Sequence, residues 1–88
     1  MRVELDGICM TDRETAHDYL AQQLHFPAYY GRNLDALYDL LTELGEPFEI
    51  VIHNSDAMKE NLGSYGNNLL LTMTEAENDN LMLTVTVS

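Results

Sequence analysis

The chain has 88 residues, which is enough for one compact domain and too few for two. Fifteen acidic residues against four basic ones give a net charge of −11, so the chain lacks the clustered Lys and Arg that bind phosphates or anionic lipids. This charge excludes a nucleic-acid binder and a protein that docks on an anionic membrane, while 45% hydrophobic residues predict a folded core.

The sequence shows no pattern typical of a secreted, membrane or metal-binding protein. The single cysteine, Cys9, cannot form an internal disulfide, and no Cys/His set has zinc-ligand spacing. Charges near the N-terminus interrupt any signal-peptide core, and no apolar run reaches the length of about 18 residues that spans a membrane. We therefore expect a cytoplasmic protein without a metal site or a cofactor.

The chain begins with a predicted strand and helix. Polar and apolar residues alternate over Arg2–Leu5, which is typical of a strand, and turn residues follow it. Thr11 and Glu14 have the spacing of a capping box, which predicts the start of a first helix. The helical pattern runs to about His25, and Pro27 stops it.

A second helix and a second strand follow an aromatic loop at residues 28–33. Asn33 is the expected N-cap of this helix, which covers about Leu34 to Leu44 and stops before Gly45. Phe48–Ile52 is dense in β-branched and aromatic residues between chain breakers. This composition predicts a buried strand.

Two more helices are expected before the last strand. Residues 54–56 provide a cap for a short third helix, and residues 63–66 contain the Gly and Ser that break it. Asn67 or Asn68 is the expected start of a fourth helix that runs through Glu77.

The chain is expected to end in a turn at residues 78–80 and a strand over Leu81–Val87. The predicted order is therefore strand, helices, strand, helices, strand. Helical connections between strands indicate an α/β fold with a parallel sheet and right-handed crossovers.

The second helix has the most informative surface pattern. Its leucines fall on one broad arc, whereas Asp35, Asp39 and Glu43 repeat every four residues on the opposite arc. Like charges at this spacing repel one another by roughly a few tenths of a kcal/mol per pair. From this ladder alone, a solvated acidic face is the commoner explanation, and a docking face for a cationic surface is the alternative.

The loop before this helix favours the docking interpretation. Tyr29 and Tyr30 immediately precede the acidic arc, and tyrosine offers a large contact area at a small cost in side-chain entropy. One of these two adjacent tyrosines is expected in the core, with neither favoured over the other. The loop and the acidic arc together indicate an interface for a basic partner.

A second pair of carboxylates, Glu75 and Asp79, lies near the end of the fourth helix. Alone, the pair is most simply a solvated helix end. Such a pair can also serve acid–base catalysis or bind a divalent cation, but no calcium-loop spacing and no nucleophile motif accompanies it. The sequence therefore favours a binding protein over an enzyme.

Residues 26–42 read Phe-Pro-Ala-Tyr-Tyr-Gly-Arg-Asn-Leu-Asp-Ala-Leu-Tyr-Asp-Leu-Leu-Thr, and this segment resembles the signature of barstar-type ribonuclease inhibitors. The resemblance extends over the whole chain. It implies one domain over residues 1–88 with an α/β, barstar-like fold, in which a three-stranded parallel β-sheet packs against about four α-helices in two layers. It also implies a protein that inhibits a basic bacterial ribonuclease inside the producing cell. We expect the free protein to be a monomer.

The resemblance further implies which residues contact the enzyme. The second helix and its preceding loop are expected to plug the active site of the ribonuclease, together with acidic residues of the fourth helix. The implied contacts are Tyr29, Tyr30, Gly31, Asn33, Leu34, Asp35, Ala36, Tyr38, Asp39, Glu75 and Asp79.

Carboxylates suit this partner because a ribonuclease holds phosphates with Arg, Lys and His. Asp39 is expected to occupy a phosphate subsite and to accept charge-assisted hydrogen bonds, with Asp35 and Glu75 engaging other cationic groups. Tyr29 and Tyr30 are expected to cover the rim of the pocket. The charge of −11 is expected to accelerate association in a salt-dependent way.

The chain differs from the family reference at several places. The reference has tryptophan at the positions of Tyr38 and Leu44, and Arg32 brings a positive charge into the motif. These differences leave a second hypothesis: an interaction or regulatory protein on the same scaffold that binds a different basic protein without inhibiting a nuclease. A small enzyme that uses Glu75 and Asp79 ranks third, because it requires a pocket and a shifted carboxylate pKa.

Overall fold

Three parallel strands form one sheet in the computed structural model, which describes all 88 residues. The strands are β1 (Arg2–Asp6), β2 (Phe48–His53) and β3 (Leu83–Val87), and they lie side by side in the order β1-β2-β3. The helices are α1 (Arg13–Leu24), α2 (Leu34–Thr42), α3 (Ser55–Leu62) and α4 (Ser64–Asp79), and one turn of 3-10 helix covers Gly7–Cys9. This architecture confirms the predicted α/β fold class.

The helices cover one face of the sheet, so the domain has two layers. In β1, Val3 and Leu5 are buried while Arg2 and Glu4 are exposed, as the alternation in the sequence predicts. The central strand β2 is buried at three consecutive positions, Ile50–Ile52. The core face of the sheet meets leucines, methionines and alanines of the helices, and none of the helices is long and apolar enough to cross a membrane.

The predicted capping box at the start of α1 is wrong by one residue. Asp12 is the N-cap, and its carboxylate accepts the backbone N–H of Thr15 at 2.8 Å. Thr11 and Glu14 are both exposed. The Asp12 carboxylate, one position after Thr11, caps the helix in the same way and also places a negative charge at the positive end of the helix dipole. The helix ends as predicted, with His25 as its left-handed C-cap.

The boundary between α3 and α4 also differs from the prediction. Gly63 alone separates the helices, and α4 begins at Ser64 instead of Asn67 or Asn68. Gly66 is therefore a buried helical residue rather than a breaker. A Cβ at Gly66 would lie 3.1 Å from the Cα of Lys59, so its absence allows α4 to pack closely on α3.

Asn54, predicted as part of the α3 cap, is the N-cap residue but makes no capping hydrogen bond. Its backbone is left-handed, and its side-chain amide donates to the carboxylate of Asp6 at 3.0 Å. The bond therefore ties the start of α3 to the end of β1 instead of satisfying the helix terminus.

Asn80 joins the ends of α2 and α4. The predicted turn at residues 78–80 is wrong for its first two residues because α4 continues through Asp79. The Asn80 amide donates to the carbonyls of Leu41 and Leu44, each at 3.0 Å, and its Oδ1 accepts the N–H of Met82 at 3.0 Å. These bonds accompany an α2 that ends at Thr42, two residues before the predicted end, and a β3 that begins at Leu83.

Candidate functional site

The first turn of α2 holds the preceding loop in a defined position. As predicted, Asn33 is the N-cap: its Oδ1 accepts the N–H of Ala36 at 2.8 Å, and its amide donates to the carbonyl of Gly31 at 3.1 Å. A Cβ at Gly31 would come within 3.1 Å of the Ala36 Cβ. The loop backbone therefore lies against the helix, and Gly31 permits that approach.

The two adjacent tyrosines of the loop have different environments. Tyr29 is 81% exposed, whereas Tyr30 is only 7% exposed and belongs to the core. The Tyr30 ring packs at 4.7 Å from the ring of Phe26, and its hydroxyl is hydrogen-bonded to Nδ1 of His17 at 2.6 Å. Tyr29 is thus the tyrosine that offers contact area, and Tyr30 anchors the loop.

The predicted acidic arc of α2 faces solvent. Asp35, Asp39 and Glu43 are exposed, while Leu37 and Leu41 on the opposite side are buried. None of the three carboxylates forms an ion pair within the protein. The charges of this face are therefore free to interact with an external cation.

Tyr38 brings the carboxylates of α2 and α4 together. Its half-buried side chain donates a hydrogen bond from the hydroxyl to the carboxylate of Asp79. This bond is the main cause that raises the pKa of Tyr38, and the nearby charges of Asp79, Glu75 and Asp39 raise the same pKa further. We call Asp39, Glu75 and Asp79 around the Tyr38 hydroxyl the acidic cluster.

The remaining predicted contact residues lie between the loop and this cluster. Leu34 and Ala36 are half-buried and pack against the hydrophobic core, so they present only part of their surface. The structure thus places the eleven predicted residues on one region formed by the loop, α2 and the end of α4. The exposed members are Tyr29, Gly31, Asn33, Asp35, Asp39, Glu75 and Asp79.

Arg32 does not neutralise the acidic face. Its backbone is left-handed, with φ of 56°, and its guanidinium pairs with Asp18 at 2.6 Å and Glu14 at 3.7 Å. Both of these carboxylates belong to α1. The positive charge that the sequence places within the motif is therefore paired with α1 and not with α2.

A polar contact beneath the loop was not predicted from the sequence. His17 is 1% exposed, and its Nε2 is hydrogen-bonded to the hydroxyl of Tyr65 at 2.6 Å, opposite the bond from Nδ1 to Tyr30. Burial, followed by the charges of Arg32 and Arg13, lowers the pKa of His17. The spacing of this histidine with the apolar side of α1 could have indicated burial, but not its partners.

The structure contains no group of three or more His, Cys, Asp or Glu side chains arranged to hold a metal ion. The charged groups that raise the pKa of Tyr38 are all carboxylates: Asp79, Glu75 and Asp39. The arrangement offers several carboxylates and one exposed tyrosine on a helix and its preceding loop. Such a surface is suited to binding a cationic partner.

Comparison with known proteins gives a matching family and a similar protein. The family described as "Barstar (barnase inhibitor)" matches residues 1–88, the whole chain. The chain is also 39% identical over 79 residues to a protein of Bacillus subtilis (strain 168) named "Putative ribonuclease inhibitor YrdF". That match covers 89% of this chain and 87% of the relative.

Proposed function

Because this chain belongs to the barstar family, we propose that it inhibits a basic, barnase-type ribonuclease by covering the active site of the enzyme with α2 and the preceding loop. Family membership and the relative named as a ribonuclease inhibitor support the general role of an inhibitor rather than an enzyme. The details of the interface are argued from the geometry of this chain.

The proposal rests mainly on the carboxylates of α2. They face solvent beside the acidic cluster, and none of them forms an ion pair within the protein. A ribonuclease that cleaves RNA must hold phosphates with cationic side chains. Carboxylates on a helix can replace those phosphates, because charge-assisted hydrogen bonds from Arg are short and often bidentate. The helix is anchored by its buried leucines, so the carboxylates are already oriented before the partner arrives.

Within this surface, Asp39 is the proposed mimic of a phosphate. It lies in the middle of the exposed side of α2 and is one of the three carboxylates around the Tyr38 hydroxyl. Asp35, in the first turn of α2, and Glu75, on α4, flank it and would meet other cationic groups of the enzyme. Tyr29 would cover the rim of the pocket, where its exposed ring can stack on an Arg or His.

The Tyr38 hydroxyl has a defined role in this proposal. Tyr38 stands where the family reference has tryptophan, and its hydroxyl donates to Asp79. The bond holds the Asp79 carboxylate next to α2, so acidic residues of two helices form one surface. Asp79 therefore supports the negative potential of the site while one of its oxygen atoms is occupied by Tyr38.

The test is a calorimetric titration against a catalytically inactive barnase-type ribonuclease. Asp39→Ala is expected to weaken binding by about 3 kcal/mol or more, which is about a hundredfold or more in Kd, because a cationic group of the enzyme is left buried without its partner. Glu43→Ala is the matched control. It removes the same kind of charge one turn further along α2, outside the proposed contacts, and is expected to cost less than about 1 kcal/mol.

The outcomes separate the hypotheses. One-to-one binding that is lost in Asp39→Ala and retained in Glu43→Ala supports the proposal and its central residue. Equal losses in the two variants would mean that the wrong face of α2 has been assigned. Failure of the wild-type chain to bind such a ribonuclease would contradict the proposal and favour a different basic protein as the partner.

A further inference from the structure

The side chains of Tyr30, His17 and Tyr65 form a largely buried hydrogen-bonded triad with His17 at its centre. Each bond measures 2.6 Å, and the three side chains come from the loop, α1 and α4. Arg13 of α1 lies over the Tyr65 ring, with its guanidinium carbon 4.2 Å from the ring centroid, where a cation–π contact is favourable. The loop before α2 is therefore connected to the start of α4 through a single imidazole.

The hydrogen bonds of this triad have a preferred donor–acceptor direction. Neutral imidazole has one donor and one acceptor nitrogen, and burial, which lowers the pKa of His17, favours this neutral form. The buried Tyr30 hydroxyl has no hydrogen-bond partner other than His17, so its proton must be donated to Nδ1. His17 then carries its own proton on Nε2 and donates it to Tyr65, which is half-buried and can pass its hydroxyl proton to solvent.

We propose that His17 is a positioning residue for the partner interface, and that its paired hydrogen bonds to Tyr30 and Tyr65 lock the loop that presents Tyr29 and Gly31. This inference rests on the proposed function. Tyr30 has little exposed surface for a partner, but it fixes the backbone on either side of it. Its own N–H donates to the carbonyl of Pro27 at 3.0 Å, so the turn is held at both the main chain and the side chain.

If these hydrogen bonds hold the loop, a substitution at Tyr65 on α4 should loosen the loop before α2. Tyr65 precedes Glu75 by ten residues of α4, roughly 15 Å along the helix, and is not among the proposed contacts. Removal of its hydroxyl leaves the Nε2–H of His17 without its acceptor. The imidazole then keeps a hydrogen bond only on its Tyr30 side, so the loop loses its side-chain connection to α4.

The experiment compares Tyr65→Phe with Tyr19→Phe. Both variants remove one phenolic hydroxyl from a half-buried hydrogen bond and keep the ring; the Tyr19 hydroxyl accepts the N–H of Asp6 at 2.9 Å, away from the loop. The first measurement is nitrogen-15 NMR of the His17 ring, which reports on the protonation and hydrogen bonding of each ring nitrogen. The second is hydrogen exchange of the amides of Tyr30 and Ala36, which report on the loop and on the Asn33 cap. Neither measurement needs a partner.

Tyr65→Phe is expected to shift the Nε2 signal of His17, which loses its acceptor, to accelerate exchange at both amides roughly two- to tenfold, and to weaken binding of the inactive ribonuclease by a similar factor. Tyr19→Phe is expected to leave all three unchanged. Equal effects of the two variants, or an unchanged His17 signal with wild-type exchange, would overturn the lock. An altered loop with wild-type affinity would overturn its role in binding, whereas absence of binding by the wild-type chain would contradict only the proposed function.

Discussion

Asn80 is expected to contribute more to stability than its position at a helix end suggests. Its side chain makes three hydrogen bonds of 3.0 Å: to the carbonyl of Leu41 in the last turn of α2, to the carbonyl of Leu44 just after that helix, and from the N–H of Met82. A typical hydrogen bond contributes a net 0.5–1.5 kcal/mol, roughly, so Asn80→Ala should reduce the free energy of unfolding by about 2 kcal/mol. For a domain of this size, that loss corresponds to a decrease in Tm of about 8–16 °C.

Urea denaturation followed by circular dichroism measures this change, and Asn78→Ala provides the control. Asn78 is an exposed asparagine two residues away, and its side chain makes no hydrogen bond, so its substitution should change stability by less than about 0.5 kcal/mol. The slope of the denaturation curve should be unchanged in both variants. A loss in Asn80→Ala no larger than that in Asn78→Ala would show that the three bonds exchange with water at no cost, and the reasoning would fail.

Three further predictions concern the α1 cap, the core and the charge. Asp12→Ala should lower the Tm, whereas Thr11→Ala should leave it unchanged. Because the capping bonds hold the pKa of Asp12 below its usual value, this carboxylate should stabilise the protein at neutral pH. In thermal scans, its contribution should disappear as the pH falls below about 4. Leu37→Ala should reduce the free energy of unfolding by about 2–5 kcal/mol, since Leu37 is fully buried, against less than about 0.5 kcal/mol for the exposed Leu71→Ala, both measured in urea. Added salt should lower the association rate with a basic ribonuclease much more than it raises the dissociation rate, as measured by stopped flow, and the opposite result would contradict electrostatic steering.

Features that depend on neighbouring residues were predictable from the sequence. The three strands, the Asn33 cap and the division of α2 into buried leucines and exposed carboxylates all follow from local chemistry and periodicity. The start of α1 was missed although its signal is local, because two residues next to each other, Thr11 and Asp12, both fit an N-cap. The structure decides between them, because the backbone of Asp12 is extended and its carboxylate accepts the N–H of Thr15.

Features that depend on distant packing were not predictable. Gly66 has the composition of a helix breaker, and its place inside α4 follows from the close approach of the Lys59 backbone on α3. The bond between His17 and Tyr65 joins positions 48 residues apart, and no spacing rule links them. Likewise, the sequence places one tyrosine of the loop in the core, but the choice of Tyr30 depends on the position of His17.

The environment of Arg32 bears directly on the partner. A positive charge between Gly31 and Asn33 would be expected to weaken attraction to a cationic enzyme, because both of these neighbours are proposed contacts. The left-handed backbone at Arg32 instead accompanies its pairing with Asp18 and Glu14 on α1. The carboxylates of α2 consequently have no ion pair with Arg32, and the loop gains a second attachment to α1 beside the one through His17. Arg32 is therefore compatible with the proposed basic partner. Among the differences from the family reference, Tyr38 is the one that lies at the acidic cluster, where its hydroxyl donates to Asp79. We expect partner specificity at this cluster to depend on Tyr38.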